Sequence, residues 1–216
     1  MQVHTPKGRW LVPPQRAVWI PSLTEHSIEI LTELEMRSVY IETALVLAHP
    51  AADKLEREFV VTVGKLLRSL VLSLFRPSAH EEHTKLLLGL ILFELLEDED
   101  PTTFLPMPVD PRARRVAALA IEDIEGYRTL PDLAHIAGVS QRTIARIFPL
   151  ETHLTFKKWR QRARMMAAIE ELGVNRVLIK QVAATLGYSS VAAFTAAFHE
   201  VFGITPTEFQ ERSIEE

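Results

Sequence analysis

The feature that most limits what this chain can fold into is a repeat. Residues 181–209 read QVAATLGYSSVAAFTAAFHEVFGITPTEF, and a second copy lies upstream. In the first stretch Val182, Ala183 and Leu186 fall at helical spacing, and Gly187 then interrupts, as a residue free to take positive φ at a helix C-terminus does. Ser189 or Ser190 can cap a following helix by accepting backbone N–H groups. That helix sets Phe194, Phe198 and Val201 or Phe202 on one face, and Gly203 stops it. Thr205, Pro206 and Glu208 then supply the hydroxyl, first-turn proline and acid of a new helix start. This is the grammar of a helix-turn-helix, but one such pattern is common in helical cores. The copy gives it weight. Ala134, Gly138 and Ser140 match Ala183, Gly187 and Ser189 at an offset of 49, and Ile144 and Phe148 match Phe194 and Phe198 at an offset of 50. Leu154 and Thr155 match Ile204 and Thr205. A repeat at this period means two copies of one supersecondary unit.

Charge narrows the partner. The 216 residues carry a formal net charge of only -4, yet from Arg128 to Lys180 ten Lys and Arg face four acids. A basic window in an acidic chain points to a polyanion-facing patch, or else to a solvated helix face, and charge alone leaves the two open. There is no cysteine, which removes disulfides, thiolate metal sites and cysteine nucleophiles and fits a cytoplasmic protein. No secretory leader pattern opens the chain. The longest apolar run, Leu86 to Leu96, is about half of a membrane span and contains Glu94, so no membrane partner is expected. No Ser/His/Asp order, phosphate-binding loop or dinucleotide glycine pattern occurs. Neither catalysis nor a cofactor is expected.

Along the chain, residues 1–50 read as short β-rich runs: Trp10 to Val12, Ala17 to Ile20, His26 to Ile30 and Met36 to Glu42, broken by prolines 13, 14 and 21. Four strands are too few for a closed barrel or sandwich. This looks like the later half of a small β domain, in a chain that starts late or finishes its sheet on a partner. Its open edges are prone to strand pairing. Residues 51–100 read as helical, with one helix over Asp53 to Phe75 and another over Glu81 to Leu96, the latter apolar on nearly all faces from Leu86. Such a helix must be covered, and a homodimer contact through residues 53–97 is the favoured cover. Residues 101–109 form a proline-rich linker. From Asp110 to the end the chain reads as helix throughout, in segments near 110–124, 131–138, 140–150, 155–172, 179–186, 190–202 and 206–212.

Residues Pro108 to Phe209 resemble the DNA-binding domain of AraC/XylS-type transcription regulators, through GVSQRTIARIF, LTFKKWRQRAR and VAATLGYSSVAAFTAAFHEVFGITP. The segment GRWLVPPQRAVWIPSLTEH is similar to the later part of the cupin-type sensor domain of one branch of that family, where it closes a β barrel and precedes dimerising helices. The resemblance implies a mainly α fold. A C-terminal all-helical domain holds two helix-turn-helix units joined by a long helix, preceded by a partial cupin-like β segment and two α-helices. The long helix, Thr155 to Leu172, would span roughly 25 to 27 Å and hold two recognition helices about one DNA turn apart, both in the major groove. Two positions depart from the family pattern. His153 stands where the second copy has Gly203, and Asn175, not glycine, ends the long helix.

The first recognition helix, Ser140 to about Leu150, turns Ile144, Ile147 and Phe148 inward and Gln141, Arg142, Thr143, Ala145 and Arg146 outward. Arginine suits guanine and glutamine suits adenine, so Arg142 and Arg146 are the expected base readers, with Gln141 at the helix start. The second presents Ser190, Val191, Ala192, Thr195, Ala196 and His199, with no Lys or Arg. It would add shape and phosphate contacts, some through helix N-termini at Ser189 and Thr205. Lys157 and Lys158 would face phosphate, Arg160 and Arg164 would pair internally with Glu170, Glu171 or similar acids, and Trp159 would be core. The partner is double-stranded promoter DNA. A small-molecule effector would meet an incomplete pocket. The alternative is a ligand-binding or metal-dependent cupin module with a helical assembly domain. His4, His26, His49 and Glu25 could be ligands there, but the H-x-H pair and glutamate of the earlier cupin motif are missing, which leaves His26 alone as a weak metal candidate.

Overall fold

The computed structural model describes residues 1–13, 16–30, 35–76, 80–97, 103–174 and 177–214. The chain is mostly helical, with antiparallel strands gathered towards its N-terminus. Among the described residues β1 (Gln2–His4), β2 (Gly8–Leu11), β4 (Ser27–Glu29) and β6 (Phe104–Pro106) form one sheet in the order β4-β1-β2-β6, and β3 (Arg16–Trp19) pairs with β5 (Phe59–Thr62) in a separate ribbon. Val3 lies opposite Trp10 and Arg9 opposite Leu105, which fixes one apolar face. Trp10 stacks on Phe104 with ring centroids 4.2 Å apart, and its Nε1 donates to the buried Glu58 carboxylate at 3.0 Å.

Several strand and helix expectations change here. Met36 to Glu42 forms no strand: residues 35 to 38 and 40 are exposed, and an alternating pattern holds a strand only where a partner and a covered face exist. The single helix expected over Asp53 to Phe75 is split. A 3₁₀ turn at Ala52–Glu56 and strand β5 precede α2 (Lys65–Leu74), because the run Phe59, Val60, Val61, Thr62 pairs with β3 before Gly64 opens the helix. The expected linker contains β6, so the chain returns to the first sheet between its helical halves. α1 (Thr43–Leu47) is short and α3 (Glu81–Glu94) packs on α2. α3 buries Leu87, Ile91 and Leu92, while Leu86, Leu90 and Phe93 stay 69%, 53% and 51% exposed.

The C-terminal helices lie within two residues of their expected bounds: α4 (Pro111–Glu122), α5 (Leu130–Ile136), α6 (Gln141–Thr152), α7 (Phe156–Val174), α8 (Ile179–Thr185), α9 (Val191–Phe202) and α10 (Pro206–Ile214). At 1.5 Å per residue the 19 residues of α7 span about 28 Å. Trp159 is fully buried on it and meets Phe148 edge-on at 5.4 Å. Phe194 and Phe198 seal the far end. Each such ring contributes about 2 to 3 kcal/mol of burial. The core around α7 also takes in Leu11 of β2 and Leu105 of β6. Trp159 Nε1 donates to the Pro106 carbonyl at 2.7 Å, Arg114 donates to the Pro6 carbonyl at 2.9 Å, and Gln2 donates to Glu170. The sheet is thus docked on the back of the helical half. The cap expected at Asn175 falls outside the described residues.

Candidate nucleic-acid interface

Two helix pairs, α5–α6 and α8–α9, flank α7. Each turns on a glycine in the left-handed region, Gly138 at φ 68° and Gly187 at φ 73°, and each second helix is capped by serine. Ser140 Oγ accepts from the Thr143 amide at 3.2 Å and Ser190 Oγ from the Ala193 amide at 3.1 Å. Ser190, rather than Ser189, is therefore the cap of α9. Thr205 and Glu208 close a reciprocal cap on α10, with 2.6 Å from the Thr205 amide to Glu208 and 3.2 Å from the Glu208 amide to Thr205.

On α6 the inward face is Ile144, Ile147 and Phe148, all buried, and Gln141, Arg142, Ala145 and Arg146 are exposed. Arg142 and Arg146 lie one turn apart and enter no ion pair among the described residues, so both guanidiniums are open to a ligand. Thr143 is half-buried with its hydroxyl 2.8 Å from Ser140 Oγ, which ties it to the cap. On α9 Val191, Ala192, Ala196 and His199 are exposed, Thr195 is half-buried, and Ser189 and Ser190 are exposed at the turn. Lys157 and Lys158 are exposed at the start of α7.

The other arginines of α7 turn inward: Arg160 pairs with an acid as expected, though with Asp123 and not Glu170 or Glu171, and Arg164 meets backbone carbonyls instead. Arg160 bonds to Asp123 at 2.5 Å and to the Arg128 carbonyl at 2.6 Å. Arg164 donates to the carbonyls of Ile124 at 2.9 Å and Glu125 at 3.0 Å. Partners on one helix must lie three or four residues apart, and Glu170 is six from Arg164, so acceptors come from the α4–α5 loop instead. Burial pushes the Arg160 and Arg162 pKa values down and that of Glu170 up from their ordinary values. Much of the basic window on α7 thus holds the fold together. Nothing in the sequence marked Asp123, since loop acids are ordinary. Glu151, which accepts from the Val109 and Asp110 amides at 2.8 and 3.0 Å and so ties α6 to the start of α4, was equally silent.

The histidines of the alternative reading are separate. His4 meets Glu29 at 3.1 Å, His26 Nδ1 lies 2.9 Å from the Thr24 carbonyl, and His49 packs on Phe93. Among the described residues no three His, Asp or Glu side chains group as a metal site.

Residues 133–212 match the family described as a helix-turn-helix domain. The chain is 30% identical over 206 residues to the HTH-type transcriptional regulator NimR of Escherichia coli K12, covering 94% of this chain and 73% of that protein. The chain belongs to the AraC-type family of helix-turn-helix transcriptional regulators. Against the regulator RipA of Corynebacterium glutamicum it is 33% identical over 115 residues, 53% of this chain but only 34% of RipA. A solved AraC-type regulator from Chromobacterium violaceum is 26% identical, with a TM-score of 0.47 over 49% of this chain and 94% of that one. As an AraC-type regulator the protein binds DNA, and no helix among its described residues is long and apolar enough to cross a membrane.

Proposed function

We propose that this regulator reads adjacent major-groove segments with α6 and α9, within a DNA-binding half that spans residues 110–216. The observation that carries the reading is the pair Arg142 and Arg146, exposed and without an ion pair among the described residues, on a capped helix whose other face is locked in the core. Both bid for guanine edges, with Gln141 at the helix start; Thr143 steadies the cap. Val191 and Thr195 of α9 offer methyl contacts, the Ser189–Ser190 turn presents amides to phosphate, and Lys157 and Lys158 neutralise phosphate beside the first segment. The regulator acts on promoter DNA in the cytoplasm. Residues 51–100 act as the dimerisation region, supported by the exposed stripe Leu86, Leu90, Phe93. The β segment is a cupin-like sensor segment. Its cleft of about 1180 Å³, lined by Trp19, Ile20, Tyr40 and Ile41, is an effector site with one wall lacking regular structure.

The test is fluorescence anisotropy on DNA from around the protein's own gene, across a salt series and against unrelated competitor. The wild type binds tightly with a salt slope that reports several phosphates. Arg142→Ala with Arg146→Ala loses about 1 to 3 kcal/mol per base contact on the specific site and far less on competitor. Unchanged discrimination in the double variant overturns the assignment of the reading face.

A further inference from the structure

The α4–α5 loop touches both helix pairs at once. Residues 124–128 lead directly into Thr129, the N-cap of α5, and so belong to the first pair. The Arg164 guanidinium, projecting from the middle of α7, holds the loop by its Ile124 and Glu125 carbonyls. A Cβ on Gly126, whose φ is +84°, would sit 1.3 Å from Arg164 Nη2. A side chain there would strain the left-handed backbone and push the guanidinium aside. From the other side the second pair leans on the same loop: a Cβ on Gly187 would lie 2.0 Å from the Glu125 carbonyl oxygen. The Arg164 guanidinium also lies against the Tyr188 side chain, whose ring meets Phe194 of α9 edge-on at 5.5 Å. One residue thus bridges, through consecutive contacts, the start of α5 and the buried anchor of α9. Arg160 and Asp123 brace the loop one turn away, with side chains only 13% and 9% exposed.

We propose that Arg164 is a positioning residue that fixes the separation and angle of α6 and α9, and so the spacing between the two DNA segments that the protein accepts. This rests on the reading that both helices contact DNA, but the geometry it predicts exists without DNA. A brace at the middle of α7 is where one side chain can reach both pairs, because the loop that leads into α5 and the turn before α9 meet there. A guanidinium suits such a brace, because its planar fork serves two carbonyls and the neighbouring hydroxyl together, which an amine on a flexible stem does not.

The experiment uses the absence of cysteine from the chain. Ala145→Cys and Ala196→Cys place spin labels on the exposed faces of α6 and α9. Labelled full-length protein is diluted into unlabelled protein to suppress distances between chains. Pulsed dipolar spectroscopy of the free protein is expected to give one narrow distance in the Arg164 background, a broadened or displaced distribution in Arg164→Gln, and an intermediate one in Arg164→Lys. Far-UV circular dichroism checks that helix content is kept. If the Gln variant fails to fold, the Lys variant decides. Unchanged distributions in the folded variants overturn the proposal. On a DNA series in which base pairs are inserted between the two segments, the wild type is expected to lose about tenfold per displaced contact set, as for a mismatch, and Arg164→Gln to lose that discrimination while keeping non-specific affinity. A distance that moves in a protein that shows no specific DNA binding keeps the positioning role and removes the DNA reading instead.

Discussion

His153 closes α6 in the left-handed region, at φ 58° and ψ 13°, where the second pair has Gly203 at φ 70°. The internal repeat made this position legible, since aligning the copies sets histidine against glycine. A Cβ in that conformation costs about 1 kcal/mol. His153→Gly is accordingly expected to raise Tm by about 3 °C in a protein of this size, read by differential scanning calorimetry. Asp110 is legible on other grounds, as a capping acid directly before Pro111 at a helix start. The Arg112 side chain beside it, together with the Arg112 and Ala113 amides, holds its carboxyl down at about 2. The depressed pKa means that its contribution to stability is complete above its unfolded value and lost as pH falls through the folded one. Asp110→Asn should therefore melt below wild type at neutral pH, with the gap closing between about pH 4 and pH 2; a gap that is constant with pH contradicts the charge assignment. Arg160 and Arg164 show the opposite case. Their charge was readable and their partners were not, because the acceptors are loop carbonyls and one ordinary aspartate some forty residues away in sequence, brought near only by tertiary packing.

At the scale of elements, helices with both a cap and a 3.6-residue apolar stripe were placed within two residues, as α6 and α9 show. Their signals are local: serine, glycine and the stripe sit inside one dozen residues. Strands were not local in this sense. β5 was hidden inside a run that also fits a helix, since Phe59, Val63 and Leu67 fall at helical spacing, and β6 was hidden among prolines. Each becomes a strand only because β3 or β2 offers an edge. The candidate site follows the same division. The outward face of α6 could be named from the sequence at Gln141, Arg142, Ala145 and Arg146, whereas the half-burial of Thr143 against the Ser140 cap and the inward turn of Arg160, Arg162 and Arg164 required the packed structure. The helices also differ in what they can offer DNA. Arginine-bearing α6 supplies polar discrimination, and the small, neutral face of α9 permits close approach.

At the scale of the whole molecule one apolar surface is left open and another is filled. Leu86, Leu90 and Phe93 run along one side of α3 at intervals of four and three residues, a stripe a monomer leaves in water. Leu86→Glu with Leu90→Glu is expected to convert a dimer to a monomer in sedimentation velocity, with circular dichroism unchanged. A monomeric wild type at the same loading, or a dimeric variant, refutes that interface. The seam between the sheet and α7 is already occupied. Leu11 and Leu105 stand in the core around α7, and Trp159 spends its indole N–H on the Pro106 carbonyl. Anyone wishing to transplant the reading head onto a foreign sensor would meet this seam. A cut at residue 109 would leave an apolar socket open beside Trp159, and a workable chimera would have to carry the ribbon of residues 8–11 and 104–107 with it as part of the cargo.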